Sequence, residues 1–181
     1  DNFAKEITKE VSILPKGTDV DLGKFAVEID GEMLFGLTEA VTLAMKATIR
    51  SGEEILLEEK HEIRVLAYNE WQGYDTMPEM LAAFVTPNHP SIDNILIEAS
   101  GILKDSSKDP SFEGYQQKDI NRVREQVSAI YTALRNQAIT YIGPPQSFNG
   151  KGQRIRLSSE VLEKKMGTCL DTTVLFASCL E

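Results

Sequence analysis

The chain has 181 residues, 41% of them hydrophobic and 26% charged, which is ordinary for a globular protein with one large or two small domains. Its formal net charge of -9 argues against direct nucleic-acid binding, which needs clustered Lys and Arg. No apolar run approaches the roughly 20 residues of a membrane span, and the first residues do not resemble a signal peptide, so no membrane association is expected.

The first part of the sequence predicts strands. From Val41 to Arg50, apolar and polar residues alternate with a period of two, which is typical of a sheet with one buried face. Ser51-Gly52 predicts a turn, and residues 54–59 and 61–68 predict one or two further strands. Shorter strands are predicted at 11–14 and 25–29, with a short helix near 34–40. This pattern predicts a small antiparallel β-sandwich of immunoglobulin-like type over residues 1–72.

The period changes to that of helices over residues 73–181. Thr76 is the predicted cap of a helix that contains Pro78 and Glu79, and Ser91 is the predicted cap of a second helix that reaches Leu103. Residues 105–115 predict a polar loop, and Asp119 opens the strongest helical pattern of the chain. Extended segments at 139–142 and 153–157 flank Pro144-Pro145, which shape either a cleft or a rigid connector. A short helix capped by Ser158 or Ser159 and a last helix from Thr168 follow.

Two cysteines lie in the last predicted helix. Cys169 and Cys179 are ten residues, or about 15 Å of helical rise, apart, which is too far for a disulfide. Free thiols favour a reducing compartment, so a cytoplasmic location is expected. The chain starts without Met and ends inside an apolar helical pattern that has no Gly or Pro stop signal, so we expect a fragment of a larger protein.

The Gly-Thr-Cys-Leu-Asp segment at 167–171 carries the strongest chemical signal. Thr168 is a good N-cap and Asp171 can complete a capping box, which places Cys169 in the first turn of a helix. There the backbone N–H groups and the helix dipole favour a nucleophilic thiolate, although Asp171 acts in the opposite direction. The alternative is that Cys169 packs in a core with its apolar neighbours.

A cysteine hydrolase also needs a general base, and only His61 and His89 are present, both N-terminal to Cys169. We expect His61 to be solvated and His89 to have a structural or surface role. The sequence contains no HExxH, CxxC, phosphate-loop or GxGxxG motif, so no metal and no cofactor is expected. Trp71 is expected to anchor the junction of the two modules, and Arg154 and Arg156 to line a solvated strand face or to face a partner.

A set of short segments resembles the N-terminal region of large bacterial proteins that also carry a superfamily 1 helicase ATPase. In chain order the segments are EWQG at 70–73, PEMLAAFVTPNHP at 78–90, GYQ at 114–116, AIYTAL at 129–134, PPQSF at 144–148, GQRIR at 152–156 and GTCLD at 167–171. The quoted segments span residues 70–171. It implies an α+β fold in which the β-sandwich is followed by the mainly helical first half of a truncated, transglutaminase-like (papain-like) module.

The resemblance implies two alternative functions. In the first, Cys169 is the nucleophile of a transglutaminase-like cysteine peptidase or amidase whose His and Asp lie beyond Glu181. In the second, the chain is a non-catalytic accessory or interaction module that binds the remaining domains of the parent protein, or a protein or peptide ligand. Because no complete triad is present in the sequence, the second is favoured, and the isolated chain is expected to lack peptidase, amidase and ATPase activity.

The spacing of apolar residues in the last helix predicts that they cannot all face inward. The residues concerned are Leu170, Val174, Leu175, Phe176 and Leu180. An exposed apolar surface there favours self-association through residues 170–181.

Overall fold

The computed structural model of the chain describes residues 3–11, 16–17, 19–73, 75, 77–144 and 152–181. These residues form a mixed α+β structure, and the chain divides into two compact units, Asp1–Tyr68 and Asn69–Glu181. The boundary predicted from the sequence lies after residue 72, four residues later than this division. Glu70 and Trp71 belong to the second unit, where they pair with Arg154 and Gln153.

The first unit is built around one antiparallel hairpin. Helix α1 (Gly31–Gly36) begins at Asp30, whose carboxylate accepts hydrogen bonds from the N–H groups of Glu32 and Met33. Strands β1 (Val41–Ser51) and β2 (Glu54–Val65) follow, which confirms the strand predicted from the alternation at 41–50. Gly52 adopts a φ of 61° in the turn between them, a conformation that a residue without Cβ adopts at little cost.

The remaining predictions for the first unit are only partly met. Residues 54–65 form one strand, and of residues 25–29 only Ile29 takes part in pairing, as an isolated bridge to Ala4. That bridge is flanked by two backbone hydrogen bonds, from Lys5 N to Glu28 O and from Asp30 N to Phe3 O. Such a short contact is too limited to count as a strand. The predicted strand at 11–14 lies mostly outside the described residues. In the described part of this unit the longest sheet is therefore a two-stranded hairpin.

The hairpin has one apolar face. The register pairs Leu43 with Ile63 and Ile49 with Leu57, so the odd-numbered residues of 41–49 and of 57–65 share a side. Besides Glu59 and His61, this side carries Val41, Leu43, Met45, Ala47, Ile49, Leu57, Ile63 and Val65, which we call the hairpin apolar face. Met45, Ile49, Leu57 and Ile63 are between 41% and 47% exposed. The described residues of this chain thus leave much of the face in contact with water.

The second unit begins with strand β3 (Glu70–Trp71) and a 3₁₀ helix (Pro78–Phe84). Met77 precedes that helix, and the predicted cap Thr76 lies outside the described residues. Helix α2 (Pro90–Ser107) follows, and its cap is His89 rather than the predicted Ser91. Because Pro90 has no N–H and a fixed φ, it suits the first helical position, and the helix starts before Ser91.

Helix α2 also extends further than predicted, because residues up to Ser107 are helical where the sequence analysis expected a loop from 105. Lys108, with a φ of 68°, then terminates it in the left-handed conformation. Helix α3 (Ile120–Asn136) begins at Asp119 as predicted, and the Asp119 carboxylate accepts from the N–H groups of Asn121 and Arg122.

The remaining elements are short, apart from the last helix. They are β4 (Thr140–Tyr141), β5 (Gln153–Arg154), α4 (Ser158–Lys164), β6 (Met166–Gly167) and α5 (Cys169–Leu180). Strand β3 pairs antiparallel with β5, and β4 pairs parallel with β6. The cap position of helix α4 is Leu157, whose side chain makes no capping hydrogen bond. Ser158, a predicted cap, is instead the first residue of the helix and is buried. None of the described helices is both long and apolar enough to cross a bilayer.

Two clusters of buried apolar side chains hold the second unit together. The first joins α2, α3, α4 and α5 through Ile92, Ile95, Ala99, Leu103, Ala129, Ile130, Ala133, Val161, Leu162, Leu175 and Cys179. The second covers the start of α5 with Trp71, Phe84, Ile155, Leu170 and Val174. Trp71 is 1% exposed and its Nε1 donates to the carbonyl of Met77, so it is a core residue of this unit.

Candidate functional site

The first turn of α5 presents Cys169 directly after a complete capping box. Thr168 Oγ1 accepts a hydrogen bond from Asp171 N at 3.3 Å, and Asp171 Oδ2 accepts one from Thr168 N at 2.9 Å. These reciprocal bonds satisfy backbone donors that a helix start leaves unpaired. The predictions of the helix start, of the box and of the position of Cys169 are confirmed.

Asp171 also binds Arg156, which lies in the segment between β5 and α4, and so links that segment to the start of α5. Its Oδ1 accepts from Arg156 N at 2.9 Å, and its Oδ2 lies 3.1 Å from Arg156 Nη1. The Asp171 side chain is fully buried, whereas that of Arg156 is 29% exposed. The alternating pattern predicted Arg156 on a solvated strand face or facing a partner, and this ion pair corrects that interpretation. The sequence could not predict this pair, because Arg156 and Asp171 are 15 positions apart and come into contact only in the folded chain.

A layer of polar side chains lies behind the cysteine turn. Gln153, on β5, donates from Nε2 to Thr168 Oγ1 at 3.0 Å, and both side chains are buried. The preceding Gly152 has a φ of 82°, and a Cβ there would meet Trp71 O at 2.0 Å, so only glycine fits. Gly152 therefore lets β5 approach β3 closely enough to bring Gln153 beneath the cysteine turn.

The side chain of Cys169 is exposed, and its carbonyl oxygen accepts hydrogen bonds from the Thr172 and Thr173 hydroxyls. Exposure at a helix N-terminus gives this thiol access to solutes and the favourable dipole of α5. The core-packing alternative for Cys169 is therefore not what the structure shows. Cys179 is buried in the same helix, and burial raises the pKa of its thiol to about 11. The prediction that Cys179 packs in the helix interior is confirmed.

Both histidines of the chain make contacts other than with Cys169. His89 Nδ1 accepts a hydrogen bond from Ser91 N at 3.1 Å and thereby caps α2, in agreement with the predicted structural role. His61 is exposed in the first unit, with Nε2 3.2 Å from Glu59 Oε2. Neither contact is that of a general base held beside a nucleophile.

Two further expectations bear on this site. Among the described residues, no group of three or more His, Cys, Asp and Glu side chains is arranged to hold a metal ion. The segment that includes Pro145, considered as a wall of a cleft, lies outside the described residues, so the cleft of the sequence analysis stays a prediction.

The apolar residues of α5 do not all face inward, as predicted. Leu170, Val174 and Leu175 are buried, Phe176 is half-buried and Leu180 is 48% exposed. They reach the interior because the two buried clusters lie on different sides of the helix and each takes part of its apolar surface. The apolar surface that α5 offers to a partner is therefore limited to Leu180 and part of Phe176.

Comparisons of the chain with protein-family models, with curated proteins and with solved structures found no match.

Proposed function

We propose that this chain is a non-catalytic interaction module of a large bacterial helicase-related protein. The proposal rests on the resemblance of segments between 70 and 171 and, above all, on the hairpin apolar face. Four apolar side chains of this face are between 41% and 47% exposed, and burying them against a partner would release a favourable hydrophobic free energy. An isolated two-stranded hairpin is also marginally stable by itself, so a partner would stabilise it. In this proposal the finer fold is a β-sandwich completed by that partner, followed by a transglutaminase-like helical module.

The partner on this proposal is the remaining part of the helicase-related protein, and the test is binding in trans. The chain and the separately expressed helicase part should bind each other. Ile63→Lys, on the hairpin apolar face, should weaken that binding at least tenfold, since it places a charge in an apolar contact. Ala44→Lys is the matched control, because Ala44 is on the opposite face across from Glu62 and should leave binding unchanged. Equal loss with both variants, or no binding at all, would contradict the proposal.

The alternative function is a cysteine peptidase or amidase, and the exposed thiol at the capped start of α5 favours it. In that reaction Cys169 Sγ attacks an amide carbonyl, the C–N bond breaks, and the amine leaves with a proton supplied by a general acid. Water then hydrolyses the thioester. A base and its orienting partner are required, and both histidines of this chain are engaged elsewhere.

An activity assay separates the two functions. We expect the purified chain to show no hydrolysis of peptide, amide or ATP substrates beyond the rate measured with its Cys169→Ala variant. Amide hydrolysis that survives purification and disappears in Cys169→Ala would establish the alternative.

We also propose weak self-association through residues 170–181, supported by the exposed Leu180. Light scattering at increasing concentration should show dimers that Leu180→Glu abolishes. Dimers that persist in this variant but disappear in Ile63→Lys would contradict the proposal and show that the dimer contact lies on the hairpin apolar face.

A further inference from the structure

Two buried amide side chains face the same side of the β3–β5 ladder. Trp71 pairs with Gln153, and Ile155 N donates to Asn69 O at 2.8 Å, so Asn69 is across from Ile155. In an antiparallel ladder, residues two positions apart on each strand project to one face. Asn69 and Gln153 are therefore diagonal neighbours on the inward face, and they are 0% and 4% exposed. Diagonal neighbours lie about 7–8 Å apart, which long polar side chains can bridge.

Three atoms of this amide pair find no hydrogen-bond partner among the described protein groups: Asn69 Oδ1, Asn69 Nδ2 and Gln153 Oε1. The other end of the Gln153 amide already donates to Thr168 Oγ1. Turning that amide by 180° would exchange its ends and leave the nitrogen without a partner instead. A buried polar atom left unpaired costs about 1–3 kcal/mol, and folded proteins rarely retain several together.

The chemistry of the unpaired atoms defines what can satisfy them. Two carbonyl oxygens need a donor, and one NH₂ group needs an acceptor, so the ligand must be able to donate and accept. It must also be small and neutral. The Asp171 carboxylate, which accepts from the N–H of the same Thr168 that the Gln153 amide contacts, is already paired with the Arg156 guanidinium. Water has these properties, and buried waters typically make about three hydrogen bonds to groups of this kind.

We infer that Asn69 and Gln153 hold an ordered internal water molecule behind the first turn of α5. The water donates to Gln153 Oε1 and bonds one end of the Asn69 amide, so two of the three unpaired atoms gain a partner. Through Gln153 and Thr168 it connects Asn69, the residue before strand β3, to the cap of the helix that carries Cys169. Asn69 is then a positioning residue for the cysteine turn and does not contact Cys169 itself.

The direct test is a crystal structure of the full chain at a resolution that shows ordered water. We expect a density peak within about 2.6–3.2 Å of Gln153 Oε1 and of one Asn69 amide atom. A direct hydrogen bond between Asn69 Nδ2 and Gln153 Oε1 with no peak between them would overturn the inference. In solution, nuclear Overhauser contacts between the two side-chain NH₂ groups and a long-lived water should be present, and their absence also counts against it.

The positioning role has a separate readout in amide hydrogen exchange of the cysteine turn. Asn69→Ala should speed exchange at Thr168 and Asp171 about fivefold, the equivalent of about 1 kcal/mol, because one water-mediated connection is lost. Asn121→Ala on the exposed start of α3 is the matched control and should leave these rates unchanged. Unchanged rates in Asn69→Ala, with the fold intact by circular dichroism, would contradict a positioning role. If Asn69→Ala does not fold, the crystallographic and solution measurements on the natural chain decide the inference alone.

Discussion

The two cysteines of this chain share a helix and lie in opposite environments. Cys169 is exposed at the first residue of α5, whereas Cys179 is 5% exposed in the core. Burial disfavours the Cys179 thiolate and raises the pKa of this thiol to about 11, so below about pH 9 it has much less thiolate than an ordinary cysteine. At the residue scale, reactivity is thus decided by depth rather than by the local sequence.

This difference predicts selective alkylation. Iodoacetamide at pH 8 should label Cys169 of the native chain at least a hundredfold faster than Cys179, as followed by peptide mass spectrometry. In urea the two rates should converge. The raised pKa also implies that the buried thiol contributes stability that is present below its unfolded pKa and is lost as pH rises toward about 11. Equal native rates would show that Cys179 is accessible.

Asp171 is the residue on which the cysteine turn depends most. Its carboxylate accepts from Thr168 N, Arg156 N and Arg156 Nη1 while fully buried. Asp171→Asn should lower the free energy of unfolding by about 3 kcal/mol, because it breaks an ion pair and turns a donor toward other donors. Urea unfolding measures this loss. Glu160→Gln is the matched control: Glu160 pairs with the exposed Lys164, so less than about 1 kcal/mol should be lost.

At the scale of elements, the hairpin carries a cross-strand ion pair that can be titrated. Lys46 Nζ lies 2.7 Å from Glu58 Oε2, and this hydrogen bond, assisted by the charges of Lys46, Lys60 and Arg50, lowers the pKa of Glu58. A lowered folded-state pKa means that the carboxylate stabilises the fold above its unfolded pKa. That contribution is lost as pH falls through the folded value.

Lys46→Met should therefore raise the pKa of Glu58 toward the ordinary glutamate value, as measured by NMR titration of its side-chain carbonyl carbon. Lys60→Met is the control, since Lys60 contributes only charge and should shift the pKa less. Equal shifts in the two variants would mean that the Lys46–Glu58 hydrogen bond does not form in solution.

The start of α2 depends on an unusual cap. His89 Nδ1 accepts from Ser91 N, the role that Asn or Asp more often fills. His89→Ala should cost about 1 kcal/mol in urea unfolding, whereas His89→Asn should retain the stability of the natural chain. Equal losses in both variants would show that His89 acts through packing instead of through its ring nitrogen.

At the scale of the whole molecule, the two units differ in how much they bury. In the described part of the first unit only Ala67 is buried, whereas the second unit contains both buried clusters. The single Trp of the chain, Trp71, belongs to the second unit. Tryptophan fluorescence therefore reports on the second unit, while far-ultraviolet circular dichroism reports on both.

We expect the first unit to unfold at lower urea concentration, so the dichroism transition should begin before the fluorescence transition. The chain shortened to Asn69–Glu181 should reproduce the fluorescence curve of the whole chain. Coincident transitions in the whole chain would indicate that the two units unfold as one.

The sequence by itself determined the features that depend on neighbours along the chain. Alternation at 41–50 predicted β1, Asp119 predicted the start of α3, and Thr168 with Asp171 predicted the capping box that presents Cys169. Each depends on bonds or periodicity within one element, and the residues involved are a few positions apart. Such signals are legible without the fold.

Only the tertiary structure decided how distant segments meet. Thr86 N donates to Ser178 Oγ, 92 positions further along the chain, and the β3–β5 ladder and the Arg156–Asp171 pair likewise join separate segments. On α3, Arg122 is 9% exposed because its guanidinium binds Ser107 Oγ and the carbonyls of Asp109 and Ser111, an interior position that its charge alone would not predict. The burial of Arg122 depends on these partners, and they are brought together only when the chain has folded.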